Sequence, residues 1–534
     1  MADIPMTRRT TPTGWSIRWD DAAAQAAYAG GWWQSRTLGD MLCDAARDMP
    51  HRVLLIDGDH SLTAAALHAR ATRLAQAMLA RFAPGSAISF MLPNWHEAGI
   101  IYLGATLAGM VANPILPSLR DHDLRFILSD LDSRMIFIPA SFRGHDYAAM
   151  LSRVLPALDR PPQVIVLRGD AGPHSVYADL LSEQHDIALP QVDPDDVRMA
   201  MYTSGTTGRP KGVLHSHNSI NALLRQIGRY WLVEPGDRFL VPSPVSHIGG
   251  SIYAFEAPLL LGSTAILMEH WNPDEAVHLM LNHGCTHMAG ATPFLQHLLA
   301  SARTAATRLP ALKLFICGGA SVPPALIREA ATYFDRAIVT RVYGSTELPV
   351  TTVGVIDPHD DHAAQTDGRP GIATIRLAPD GEIRAHGPQM MVGYLHVDDE
   401  DSAFDADGFY RSGDQGAWVD RDYLVVTGRI KDLIIRNGEN IAPKEVEDIL
   451  IAHPGIAEVA IVGIPDARTG ERAVAVVVPR GNAKLDVATL ADFLSGHGVA
   501  RFKYPEGVLL WDALPKNDAG KVLKAVIRAK LTAA

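Results

Sequence analysis

From residue 87 to residue 344 the chain returns again and again to short apolar runs bounded by turn residues. They read AISFML (87–92), SRMIFIPA (133–140), QVIVLRG (163–169), STAILME (263–269), KLFICGG (313–319) and AIVTRVYG (337–344). Runs of this length are strands, and strands this apolar belong in sheets covered on both faces. Helical periodicity fills other stretches, with apolar residues three and four apart in TLGDMLCDAARDM (37–49) and LTAAALHARATRLAQAMLARF (62–82). The alternation predicts an α/β layout with much parallel sheet. The last hundred residues read differently. AEVAIVGIPD (457–466) and RAVAVVVPRG (472–481) are strands, and VEDILIAHPG (446–455) and DVATLADFLSGHG (486–498) are short helices. That is a compact α+β unit, joined to the rest near GRIKDLIIRNGENIAP (428–443).

Composition bounds the function. At 534 residues the chain is too long for one simple core and predicts two to four domains. A net charge of -11 argues against nucleic acid or an anionic membrane surface as partner. Three scattered cysteines, Cys43, Cys285 and Cys317, give no disulfide framework, so a reducing, cytoplasmic setting is expected. The N-terminus MADIPMTRRTTPTG has no apolar signal core. The uncharged stretch Ala98–Ser118 is long enough to raise a membrane span. It holds three glycines, then Asn113-Pro114 and Pro117, so a buried helix followed by a strand is expected instead.

One motif carries chemistry: MYTSGTTGRPKGV, from Met201. Gly205 and Gly208 let the backbone turn tightly and approach a ligand. Successive amides in such a turn make a concave anion site. Thr203, Ser204, Thr206 and Thr207 add hydroxyl donors, Lys211 adds a cation, and Pro210 keeps the loop from winding into a helix. This is phosphate-handling chemistry. It is not a Walker A loop, because Pro210 follows Gly205 at five residues and Lys211 precedes Gly212.

With YGSTE (343–347), YRSGD (410–414), GRIKD (428–432) and PKNDAGKVLK (515–524) in order behind it, this motif resembles those of the adenylate-forming superfamily of acyl-CoA synthetases, adenylation domains and luciferases. The resemblance covers nearly the whole chain. It implies a large N-terminal domain of β-sheets flanked by helices, residues 1–430, and a small mobile α+β C-terminal domain, 431–534. It implies ATP, Mg²⁺ and CoA as co-reactants. A carboxylate would attack the α-phosphate of ATP, and a thiol would then displace AMP.

Roles follow position by position from the resemblance. Thr203, Ser204, Gly205, Thr206 and Thr207 would cradle the phosphates with Lys211 nearby. Gly318, Gly319 and Ala320 would border the adenine, with Tyr343, Gly344 and Ser345. Thr346 would touch the α-phosphate, and Glu347 would hold Mg²⁺ with Thr203. Asp414 would accept the ribose hydroxyls, with Arg429 beside it. Lys521 would be the adenylation lysine, Lys431 the hinge, and Gly438 the neighbour of the pantetheine arm. His247, Gly249, Gly250, Tyr253, Ala289, Gly290, Gly318 and Tyr343 would line the acyl pocket, with His247 also gating the thiol tunnel.

Two positions depart from the pattern: Arg341 stands where the family has Asn or Gln, and Asn517 where it has Thr. Ile248 stands where amino-acid-activating relatives place an aspartate, so an uncharged acid is expected. MLPNWHE (91–97) and NPILP (113–117) look closest to cyclohexanecarboxylate- and aryl-CoA ligases. The HGCTH run (His283, Cys285, His287) has metal-type residues without a further ligand cluster, so a metal site is not expected there. His215 and His217 are expected to be scaffold. A carrier-protein thiol or an amine stays open as acceptor, and so does a nucleotide binder without catalysis. Partners would be a small carboxylic acid and CoA, and the family allows a homodimer.

Overall fold

The structure is a computed structural model that describes residues 7–203, 209–319, 322–437, 439–466, 468–481, 483–517 and 520–532. Among these residues the strands form two large sheets, two smaller ones and two two-stranded ribbons. The first large sheet runs Ser175–Val176, Gln163–Leu167, Met135–Pro139, Ala87–Phe90, Val111–Pro114, Val197–Thr203, Lys211–Ser216 and Gly393–Tyr394. It is parallel as far as Val197–Thr203 and antiparallel beyond. The second runs Ile338–Arg341, Leu314–Cys317, His287–Gly290, Arg238–Val241, Thr264–Leu267 and Val53–Asp57, all parallel, with His60–Thr63 closing it as a hairpin. Every apolar run singled out in the sequence is a strand of one of these sheets.

Packing explains the sequence pattern. Met135–Pro139 and Leu314–Cys317 are buried along their whole length, which is why they show no polar alternation. The helix His96–Leu107 is buried almost all round, since it shares one core with residues of both large sheets. This is the uncharged stretch that raised a membrane span. At 12 residues it is about 18 Å long, short of a bilayer core. No helix among the described residues is long and apolar enough to cross a membrane. Several helix starts are capped by side chains. Thr37 and Asp40 form a reciprocal capping box, and Thr63 accepts from Ala66 N.

An antiparallel sheet of Thr374–Leu377, Glu382–His386, Tyr410–Val419 and Tyr423–Arg429 ends at Arg429. A short turn, Ile430–Asp432, leads into the last sheet: Glu439–Ile441, Ile434–Arg436, Gly470–Pro479, Ile456–Asp466, and Gly507–Leu510 along the Gly470–Pro479 strand. This final unit has a core of its own, built from residues such as Ile434, Val446, Ile461, Ala475 and Leu490. The large α/β domain and small α+β domain read from the sequence are both present.

Candidate active site

The site forms where the parallel strands of the second sheet end. Ligands of open parallel sheets bind beyond the carboxyl ends of the strands. His287–Gly290 delivers Ala289 and Gly290 there, Leu314–Cys317 delivers Gly318 and Gly319, and Ile338–Arg341 delivers Tyr343 and Gly344. The glycines are spatial necessities. A Cβ on Gly318 would sit 2.9 Å from the Val342 carbonyl oxygen, one on Gly344 2.6 Å from Val350 N, and one on Gly290 2.5 Å from Phe294 Cδ2. Gly319 adopts φ +81°, a left-handed conformation that suits glycine. Ala320 lies outside the described residues.

The phosphate motif sits on a hairpin from the other large sheet. Thr203 ends one strand and pairs with Lys211, which opens the next. Ser204, Gly205, Thr206 and Thr207 lie outside the described residues. Lys211 Nζ is 3.3 Å from the Asp399 carbonyl oxygen and 3.5 Å from its carboxylate, and 5.0 Å from the Tyr394 ring centre. Arg209 donates to the same Asp399 carboxylate at 2.8 Å. Asp399 thus gathers both loop cations. Neither Asp399 nor Arg209 stands out in the sequence, where only long-range pairing would mark them.

YGSTE is held from three sides. Tyr343 OH donates to Asp414 Oδ2 at 2.8 Å, and burial, followed by the neighbouring Asp414 charge, holds the phenol well above its usual range. Ser345 Oγ accepts from Leu348 N at 3.2 Å. His215 Nε2 donates to the Thr346 carbonyl at 2.7 Å, and burial pushes this imidazole down to about 4, so it stays neutral. Glu347 is buried, its carboxylate accepts from Tyr394 OH at 3.1 Å, and it has no ion pair among the described residues. Tyr394 also lies against Lys211, so Glu347 and the Thr203–Lys211 pair share one neighbour. A buried carboxylate with no ion pair among the described residues, beside a phosphate loop, fits Mg²⁺, a hard ion that prefers few protein oxygens.

Asp414 is buried and pairs across the sheet with Arg429, whose Nε donates to Asp414 Oδ1 at 2.8 Å. Each carboxylate oxygen keeps a further lone pair for a ribose hydroxyl. Lys521 reaches this cluster from the far end of the chain. Burial lowers its pKa, reinforced by Arg429 and opposed by Asp414, Asp432 and Glu347, so all four lie within its electrostatic reach. Asn517, at the position where the family pattern has Thr, accepts from Lys521 N at 2.8 Å and fixes the turn. Gly520 packs on the large domain, where a Cβ would be 3.2 Å from Pro293 Cγ. Lys431 is exposed in the Ile430–Asp432 turn, and Gly438 lies outside the described residues.

The acyl side is built on the helix that His247 opens. Gly250 is required, since a Cβ would lie 2.1 Å from the Pro244 carbonyl oxygen. Gly249 faces open space, with no atom within 4 Å of where a methyl group would sit. Tyr253 is buried and stacks on Phe239, ring centres 5.3 Å apart. Asn94, whose role the run MLPNWHE does not disclose, ties down the loop before His247: its amide donates to Val241 O and Ser243 O, and its oxygen accepts from Val245 N.

Arg341 is buried and committed to protein partners. It donates to Asp367 Oδ1 at 2.7 Å and to Ala364 O at 3.0 Å, so its guanidinium is structural. His283, Cys285 and His287 do not converge. His283 ends a helix, Cys285 is buried, and His287 Nε2 donates to Trp231 O at 2.9 Å. His215 and His217 are buried scaffold.

Residues 42–395 match the AMP-binding enzyme family, and residues 445–521 match the AMP-binding enzyme C-terminal domain. The chain belongs to the AMP-binding enzyme family. As a member it is an AMP-forming acid–thiol ligase that uses ATP, Mg²⁺ and CoA. It is 34% identical over 524 residues to the medium-chain fatty-acid–CoA ligase of Escherichia coli (strain K12), covering 94% of this chain and 92% of that protein. It is 32% identical to the 3-[(3aS,4S,7aS)-7a-methyl-1,5-dioxo-octahydro-1H-inden-4-yl]propanoyl:CoA ligase of Rhodococcus jostii (strain RHA1), covering 93% and 99%. Among solved structures, ATP-bound MatB from Rhodopseudomonas palustris matches at TM-score 0.84 and 28% identity, covering 93% of this chain and 99% of that one. The AMP-binding enzyme described here therefore shares both domains with its relatives.

Proposed function

We propose that this AMP-binding enzyme activates an uncharged carboxylic acid, cyclic, aryl or of medium chain length, and passes it to CoA. The observation that carries the residue assignments is the hydrogen-bonded cluster of Tyr343, Asp414 and Arg429, with Lys521 of the small domain in the electrostatic field of Asp414, Arg429 and Glu347. In the first half-reaction an acid oxygen bonds to the α-phosphorus of ATP, and the bond to pyrophosphate breaks. Lys521 sits between the two anions and neutralises both. Thr203 through Thr207 and Lys211 hold the leaving phosphates, and Thr346 donates to the α-phosphate. Thr203 and Glu347 would hold Mg²⁺, which supplies charge neutralisation at the phosphates. Asp414 and Arg429 fix the ribose, and Gly318, Gly319, Ala320, Tyr343, Gly344 and Ser345 border the adenine and acyl groups. In the second half-reaction the thiol sulfur bonds to the acyl carbon and AMP leaves. His247 gates that approach, and Gly438 lies along the pantetheine arm.

The substrate class rests on the pocket wall. Ile248, Gly249, Gly250, Tyr253, Ala289 and Gly290 offer no fixed charge, and a relative acting on medium-chain acids and one acting on a ring-bearing acid support the same class. We place the domain boundary between residues 430 and 431, with Lys431 as hinge. The cytoplasm suits three cysteines that are all free, and a homodimer is checked by sedimentation. The direct test incubates the protein with ATP, Mg²⁺ and a panel of aliphatic, alicyclic and aryl acids, with and without CoA, and reads products by intact mass. A CoA thioester is expected. An acyl-adenylate without thioester would transfer the assignment to a carrier-protein or amine acceptor.

A further inference from the structure

Arg198 and Glu256 form an ion pair from which solvent is excluded. NH1 and Oε2 are 2.8 Å apart, and both side chains are 0% exposed. Tyr102 donates its hydroxyl to the other oxygen, Oε1, and its ring packs on Phe255 at 4.8 Å between centres. Arg198 Nε and NH2 have no hydrogen-bond partner among the described residues, so Glu256 is the one counter-charge given to this guanidinium there. Met199 beside Arg198 and Phe255 beside Glu256 in sequence both belong to the main apolar core.

The two residues stand on the two elements that carry opposite halves of the site. Arg198 lies on the strand that ends at Thr203, at a shift in register between Val197 and Met199. Glu256 closes a π-turn, Ile252–Glu256, in the helix that begins behind His247 and carries Tyr253. A π-turn admits an extra residue to the helix and recurs at functional sites. A buried ion pair is a poor source of stability, because the cost of dehydrating both charges offsets their attraction, and its best-attested use is to fix register. Here it joins the phosphate strand to the acid-pocket helix.

We propose that Arg198, Glu256 and Tyr102 form a positioning strut through which nucleotide binding at the phosphate hairpin orders the helix that lines the acid pocket. This rests on the site assignment above. None of the three residues touches substrate in this scheme. The strut transmits position, so its loss alters coupling more than folding.

The test uses hydrogen exchange on the full chain with Mg·ATP as the sole ligand, comparing wild type with R198M/E256L. In wild type, Mg·ATP slows exchange in both the 197–216 hairpin and the 248–256 helix. In R198M/E256L the hairpin stays protected and the helix loses its protection by about fivefold or more. The acid KM then rises by a similar factor while the melting temperature holds. Equal helix protection in both proteins overturns the strut, as does a wild-type helix that Mg·ATP leaves unprotected. A wild-type hairpin that Mg·ATP leaves unprotected removes the nucleotide site itself, and the strut with it. If R198M/E256L does not fold, Y102F deletes one hydroxyl and keeps both charges. It is expected to lower helix protection by about twofold, and full protection in Y102F overturns the proposal.

Discussion

Lys521 is partly buried, holds no ion pair among the described residues, and lies in the field of Asp414, Asp432 and Glu347. A lysine placed this way lowers a barrier by meeting charge that develops between two anions. K521A is expected to cut acid-dependent ATP–pyrophosphate exchange by about 100-fold or more, with thioester formation from synthetic acyl-adenylate nearly unchanged. Loss of both activities would mean that Lys521 serves the fold. Glu347 gives a second check. E347Q keeps an oxygen to accept from Tyr394 but removes the charge, so half-saturating Mg²⁺ should rise by about tenfold with ATP affinity at saturating Mg²⁺ little changed. An unchanged Mg²⁺ titration would move the metal elsewhere. Residues of this kind are legible in sequence because the chemistry dictates their type. Asp399 and Asn94 are not, because each acts through partners far along the chain: Asp399 through Arg209, Asn94 through Val241 and Ser243.

The strand Lys211–Ser216 joins two parts of the site, with Lys211 at its start and His215 gripping the Thr346 carbonyl near its end. Burial holds His215 at about 4 against an ordinary 6.5. Between those values the unfolded chain binds a proton that the folded chain refuses, so stability rises with pH across the window and is lost as pH falls through it. The full loss is about 3 kcal/mol, of which about 1 kcal/mol is gone by pH 5.5. Urea midpoints at pH 7.5 and 5.5 should therefore differ less in H215Q than in wild type. Equal slopes would show that His215 is not the group refusing the proton. At this scale the sequence is readable where burial is one-sided in kind: fully apolar strands and capped amphipathic helices. The antiparallel sheet from Thr374 to Arg429 does not read as strands, because its residues mix exposed and buried positions and two of its pairings shift register. The π-turn at Ile252–Glu256 is likewise invisible in sequence, since a turn of extra width leaves the apolar run unchanged.

The two domains meet through a contact that tests the proposed reaction cycle. Gly520 combines φ +80° with a near approach to Pro293 and Ala291, so any side chain there is strained and pushes the small domain from the large one. In this structure the contact is made with Lys521 at the site. If the small domain must swing to admit the thiol, the first half-reaction needs the contact and the second does not. G520A is then expected to lower pyrophosphate exchange by about tenfold and leave thioester formation from acyl-adenylate intact. K431P, which stiffens the exposed turn Ile430–Asp432 without touching the site, should do the reverse: exchange persists and thioester formation falls. The contrast decides the matter, because a general loss of stability lowers both activities in both variants. Opposite losses in the two variants would show one small domain serving two steps from two positions. Parallel losses at unchanged melting temperatures would mean that the arrangement seen here, with Lys521 inserted, carries both steps and that the turn at Lys431 is only a connection.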